Sequence, residues 1–293
     1  MKALLPVLTL LVASVLWGLT WLPLKHFGEH GVEGAVVTLF AHGTVGLLSL
    51  PLLVTRYALY RHRLREMAVL VFFGGLANIS FAAAIVSGDV MRVMVLFYLL
   101  PAWGVLGGRF VLGERIDRHR ALSLVFALGG ALLVLGGPAV FSAPPTFVDL
   151  LAVVSGFALA ANNVIFRKLE DVAISTKVSA MFAGSLAWAF AVVVFGLSPV
   201  PRGVDTAIWV EVVVFGLVWI LLATAGTLYG VHHMEAGRAS VLIIMELVTA
   251  VVSAAIIQRT LPDPMACVGG VLILLSASLE GLRAPEVPAS AVT

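Results

Sequence analysis

One carboxylate, Glu246, stands deep inside the apolar run from Arg238 to Ile257. An ionised carboxyl at that depth costs about 2.5–3.5 kcal/mol on insertion scales, so it must face a cavity, a partner group or a proton. A protonatable acid there suits proton coupling, and an ionised one suits a substrate ammonium. The bland alternative is a neutral acid hydrogen-bonded to a neighbouring helix. Trp17 and Trp21 are four residues apart and so share one helix face with Ser14. Trp17 is too deep for an interfacial aromatic belt; the pair offers an aromatic wall to a cavity, or else plain helix packing. Asn162 and Asn163 offer amides that hold a carboxylate or an amide without a buried charge, against a plain interhelical bond worth about 0.6 kcal/mol. His42 can titrate near neutral pH, although a lone histidine on an apolar face is more often simply packed. Asn78, Tyr98, Trp103, Trp188 and Tyr229 complete the candidate lining. Tyr98 sits one turn before Pro101, which kinks a helix and frees a carbonyl.

Such groups must be positioned by membrane helices. Hydrophobic residues make up 61% of the 293, charged ones only 12%, and mean hydropathy is +1.09. A soluble chain keeps about a quarter of its residues charged. The apolar residues fall into blocks of roughly 18–22, the length that crosses a hydrocarbon core of ~30 Å. The predicted spans are 4–24, 34–54, 67–87, 91–109, 120–138, 149–167, 178–198, 209–230, 238–257 and 264–282. The weakest divisions are Ser87-Gly88-Asp89, between the third and fourth, and Gln258 to Pro264, between the ninth and tenth. With both termini cytoplasmic, 14 Lys and Arg residues lie inside and 4 outside (Lys25, Arg92, Arg202 and Arg259), as the positive-inside rule requires.

The rest is exclusion. No phosphate-binding loop, nucleophile elbow or zincin motif occurs. Lone Cys267 permits no intrachain disulfide. His232-His233 lacks further ligands, so neither metal nor cofactor is expected. The net charge of +2 sits in membrane-flanking loops and does not point to nucleic acid. No obligate protein partner is evident; the expected partners are the lipid bilayer and a small-molecule substrate.

Ten spans divide into two sets of five, residues 1–142 and 143–293. A shift of 142 places Trp17 on Leu159, Trp21 on Asn163 and Lys25 on Arg167. A shift of 146 places Arg92 on Arg238, Pro101 on Leu247 and Asp117 on Asp263. An odd number of spans per half inverts one half relative to the other, and inverted repeats bind substrate near the midplane. The expected fold is therefore an all-α membrane protein of ten transmembrane helices in two inverted five-helix repeats.

Trp17-Gly18-x-x-Trp21, a Pro-bearing fourth span ending Leu112-Gly113-Glu114-Arg115, and Asn163 to Lys168 closing the sixth span resemble the EamA-type branch of the drug/metabolite transporter superfamily. The resemblance covers the whole chain in order, and the Leu-Gly-Glu-Arg element is its most specific part. It implies ten helices in two inverted repeats and export of small metabolites, often amino acids, commonly from the bacterial inner membrane. Two departures stand out. The family's usual Glu-Pro in the ninth span is Glu246-Leu247 here, and the usual second Leu-Gly-Glu is Gln258-Arg259-Thr260. The expected function is a secondary exporter of neutral or aromatic amino acids by alternating access. The alternatives are a drug or lipophilic-cation exporter and, in another class, an intramembrane lipid-modifying enzyme. The lack of an Arg or Lys cluster within the spans argues against phosphorylated sugars and nucleotide sugars.

Overall fold

The computed structural model describes residues 4–32, 34–88, 90–259 and 263–282, and every regular element among them is helical. We label the helical stretches in chain order. They are α1 (Leu5–Glu29), α2 (Gly34–Thr55), α3 (Leu64–Ser87), α4 (Val90–Phe97, resuming at Leu100–Gly107 and closing in a π turn, Gly108–Leu112) and α5 (Arg118–Val134). The second half holds α6 (Phe147–Lys168), α7 (Ile174–Val194), α8 (Thr206–His233), α9 (Ala236–Ile243, then Met245–Gln258) and α10 (Pro264–Leu282).

Eight of these are long and apolar enough to cross a membrane. The other two, α5 and α10, are not among them, so eight of the ten expected spans are seen among the described residues. Helix α5 opens on Arg118-His119-Arg120, and Arg120 is held inward by Glu114 and Glu235. The two weak divisions fall where expected: α3 ends at Ser87 and α4 begins at Val90, while α9 ends at Gln258 and α10 begins at Pro264. Asp89 lies outside the described residues.

Local chemistry sets the helix ends. Thr146 and Asp149 form a reciprocal capping box that starts α6. Asp117 accepts from the Arg120 amide at 2.8 Å to start α5, and Asp263 accepts from the Met265 amide at 2.7 Å to start α10.

The halves interlock. Helix α1 packs on α8 and α9, and α6 packs on α3 and α4; α2 meets α8 and α3 meets α7. Three more pairs pack across the two halves of the chain: α2 with α7, α4 with α9, and α5 with α10. The last pair comes close because Gly130 and Gly269 lie back to back, each against the other's carbonyl, where any Cβ would overlap. Helix starts also repeat. Val90 and Ala236, and Arg118 and Pro264, begin their helices 146 places apart, and Leu5 and Phe147 do so 142 apart.

Polar contacts gather the basic loops at one end of the bundle. Arg56 donates to Ser175 at 2.7 Å, and His62 and Arg63 meet Asp171 at 2.7 and 3.2 Å. The His62 and Arg63 bonds hold the Asp171 carboxyl down at about 2. Arg167 donates to the His232 carbonyl at 2.8 Å. Lys177, with no exposed surface, gives its ammonium to the Phe166 and Leu169 carbonyls at 2.9 and 2.7 Å and to His232 Nδ1 at 2.9 Å. It thereby caps the C-terminus of α6, where the helix dipole favours a cation. At the opposite end Arg92 pairs with Asp149 at 2.7 Å and reaches the Ala143 and Pro144 carbonyls.

Candidate functional site

Both α4 and α9 are interrupted mid-course. In α4 the break falls at Tyr98-Leu99, and Pro101 explains it, because the ring removes the N–H that would close on the Phe97 carbonyl. Gly156 of α6 packs onto that freed carbonyl. In α9 the break falls at Ile244, 146 places after Tyr98, with no proline in the following turn. There Leu247 donates to Ile244 at 3.0 Å, so one tightened turn replaces the normal bond.

The two breaks face each other. Tyr98, at the first, donates its hydroxyl to Glu246 Oε1 at 2.8 Å, just past the second. Tyr98 is buried and Glu246 half-buried. The interhelical hydrogen bond that a packing role for Glu246 requires is thus present, and it joins the helices that cross between the halves. Gly18 presses on the backbone carbonyl of Glu246 and on Thr249; a side chain there would overlap both, which brings α1 against the same point of α9.

Two tryptophans flank Gly18. The Trp17 indole donates to Thr227 Oγ1 of α8 at 3.1 Å, and that of Trp21 to Ser253 Oγ of α9 at 3.0 Å. Both are half-buried, and each satisfies its one polar atom on a neighbouring helix, as a buried indole should. Sequence reasoning missed a third, Trp219, which donates to the Leu16 carbonyl at 3.1 Å and to Thr20 Oγ1 at 3.0 Å. It lies in a π-helical stretch of α8, Phe215–Ile220. Such wide turns recur at functional sites, but nothing in the residue types of that stretch announces one. Thr227 and Ser253 were missed as well, since hydroxyls abound in membrane helices. Trp17, Trp21, Tyr98 and Glu246 therefore belong to one neighbourhood built by α1, α4, α8 and α9.

The amide candidates belong to another, at the meeting of α3, α6 and α7. Asn162 and Asn163 are fully buried, and Asn162 Nδ2 donates to Asn163 Oδ1 at 3.3 Å. Asn162 Oδ1 and Asn163 Nδ2 meet no hydrogen-bond partner among the described residues. Asn78 donates to the Gly74 carbonyl of its own helix at 3.1 Å and to Ser185 Oγ of α7 at 2.9 Å, and the second bond ties α3 to α7. Trp188 donates to the Phe72 carbonyl at 3.2 Å. His42 is buried 5.9 Å from the Phe182 ring, with neither ring nitrogen bonded to a described residue. Trp103 Nε1 is likewise without a partner, its ring edge-on to Phe157 at 5.8 Å. Tyr229 stacks on His233 at 4.2 Å near the basic end of α8.

Among the described residues no group of three or more His, Cys, Asp or Glu could hold a metal ion. A groove of about 390 Å³ between α1 and α8, lined by Leu8, Val12, Leu16 and Leu222 among others, is apolar and holds none of these candidates.

Comparison with known proteins bears on this arrangement. Residues 4–136 match the EamA-like transporter family. The matched stretch is somewhat less than half of the chain, and over it the chain is similar to membrane transporters of the drug/metabolite transporter superfamily. A solved crystal structure superposes on this chain with a TM-score of 0.76, covering 95% of it and 96% of the other chain at 19% identity. The likeness at that identity is one of fold. No curated protein matches the sequence.

Proposed function

We propose that this protein is a secondary exporter of small amphipathic metabolites, neutral or aromatic amino acids above all. It works by alternating access between two inverted five-helix units, residues 1–142 and 143–293. The observation that carries the reading is the Tyr98–Glu246 bond at the facing breaks of α4 and α9. An interrupted helix pair with a carboxylate at depth is the kind of site on which such transporters bind substrate.

Three features support the two-unit reading. The main helix packings are unchanged when α1–α5 are exchanged with α6–α10. Helix starts recur at fixed shifts, and the family match ends within the first unit. The segregation of basic residues supports a bacterial inner-membrane protein with both termini cytoplasmic. For the substrate, Glu246 suits an ammonium, the three indoles suit an amphipathic body, and the open amide atoms of Asn162 and Asn163 suit a carboxylate or amide. His42, Trp103 and Tyr229 complete the lining in this reading.

A second reading, export of lipophilic cations, is favoured by the indoles themselves, since aromatic faces attract desolvated cations. Uptake of a panel of amino acids and of one quaternary ammonium dye into proteoliposomes, with and without a pH gradient, separates the two. Transport of the dye alone overturns the amino-acid reading, and transport of nothing overturns both.

A further inference from the structure

The Leu112-Gly113-Glu114-Arg115 element closes α4 at the basic end. Gly113 takes a left-handed φ of 74° and turns the chain back. The Glu114 carboxylate then faces the first turn of α9, where Oε1 accepts from the Ala236 amide at 2.6 Å and Oε2 from the Gly237 amide at 3.2 Å. These are charge-assisted bonds to a helix N-terminus, where the dipole favours an anion. Arg120, which has no exposed surface, donates to Glu114 Oε2 at 3.3 Å and to the Arg115 carbonyl at 3.2 Å, and it also binds the Glu235 carboxylate.

Three properties distinguish this cluster from an ordinary brace. It joins the halves, with Glu114 and Arg120 from one and Glu235, Ala236 and Gly237 from the other. It sits at one end of the same α4–α9 crossing that holds Tyr98 and Glu246 further along. And its acid is one-sided. Arg259 ends α9 in the same left-handed conformation as Gly113 ends α4, with φ of 54°, but Gln258-Arg259-Thr260 supplies no carboxylate there.

We infer that Glu114, held by Arg120, which Glu235 anchors in turn, is a latch that shuts the α4–α9 crossing at the basic end and must release the start of α9 before the site opens on that side. The inference rests on the transporter reading of α4 and α9. A carboxylate bonded to main-chain amides can trade them for water when the helix withdraws, so the closure is reversible. It also makes the two ends of the crossing unequal, the basic end being the one locked by charge.

Ser240 reports on the latch. It is fully buried one turn into α9 and packs on Gly104 of α4. The experiment places Ser240→Cys in a Cys267→Ser background of the full chain and applies a membrane-impermeant maleimide to the basic face of membrane vesicles. Glu114→Gln and Glu235→Gln are each expected to speed labelling about tenfold, the factor that one lost bond to a charged group gives, while the thermal midpoint holds. Labelling rates that do not change in either variant overturn the latch. So does a lowered midpoint with unchanged labelling, which is the signature of a brace. If Glu114→Gln fails to fold, Glu235→Gln decides alone, because it leaves the cap on Ala236 intact. Labelling needs no substrate, so a panel in which nothing is transported sinks the transporter reading without touching this result.

Discussion

At the scale of the residue, Glu246 and Tyr98 decide most. Their bond does not choose between structure and transport, because it holds the crossing helices together and also occupies the Glu246 carboxylate. Glu246→Gln keeps shape and hydrogen-bonding capacity and removes the charge. Transport in proteoliposomes is expected to fall about tenfold or to lose its pH dependence, the size of effect that one bond to a charged group carries. Expression and thermal midpoint should stay as they were, and unchanged transport across pH 5–8 retires the functional role. Tyr98→Phe keeps the ring and deletes the donor; about 1 kcal/mol of stability should go with it, read as a lower unfolding midpoint in detergent. Glu246 was legible in the sequence because an acid in an apolar run is conspicuous. Tyr98 was legible through its spacing to Pro101. Trp219 was not, since the π stretch that aims it follows from how α8 packs on α2 rather than from any local residue pattern.

At the scale of the element, the helix ends carry the testable content. Arg259 is the one described non-glycine residue with positive φ, in the place where α4 uses Gly113. A left-handed conformation costs a residue with a Cβ about 1–2 kcal/mol, so Arg259→Gly should raise the thermal midpoint, and a fall would mean that its side chain holds something more valuable. Gly18→Val should do the reverse. It forces a side chain into the Glu246 carbonyl and Thr249, and overpacking of that kind costs about 1–3 kcal/mol or more, visible as reduced folded yield. Element boundaries were readable from the sequence to within a few residues, because Gly, Pro and Asp mark the ends. The break in α9 was not. The sequence has leucine where the family has proline, and only the pairing with α4 accounts for an interruption that no local residue requires.

At the scale of the whole molecule, charge segregation supports the proposed orientation and helix packing supports the proposed two-unit division. Single cysteines between Arg56 and Arg65 should react with impermeant reagent from the cytoplasmic side only. Labelling from outside would reverse the assigned orientation. The loop contacts at that end should survive moderate acid. Asp171 has a lowered folded pKa of about 2, so its contribution is full above the ordinary carboxylate pKa and disappears only as pH falls towards 2. Because the pair is well exposed, Asp171→Asn should shift stability by less than about 1 kcal/mol, measured as a thermal midpoint at neutral pH. Composition and charge segregation made the membrane class and the helix order plain. The division of the candidate residues into two neighbourhoods was hidden, since it depends on which helices cross, and apolar runs do not encode their partners one by one.

Lys177 has a use beyond the fold it completes. An amine whose three hydrogens are spent on two carbonyls and an imidazole cannot attack an activated ester, whereas Lys25 and Lys168 stand exposed. Acylation followed by peptide mass spectrometry therefore gives a footprint of assembly. Purified protein that carries the mark on Lys25 and Lys168 but not on Lys177 has seated α7 against α6 and α8, and a marked Lys177 identifies preparations in which that corner has come apart.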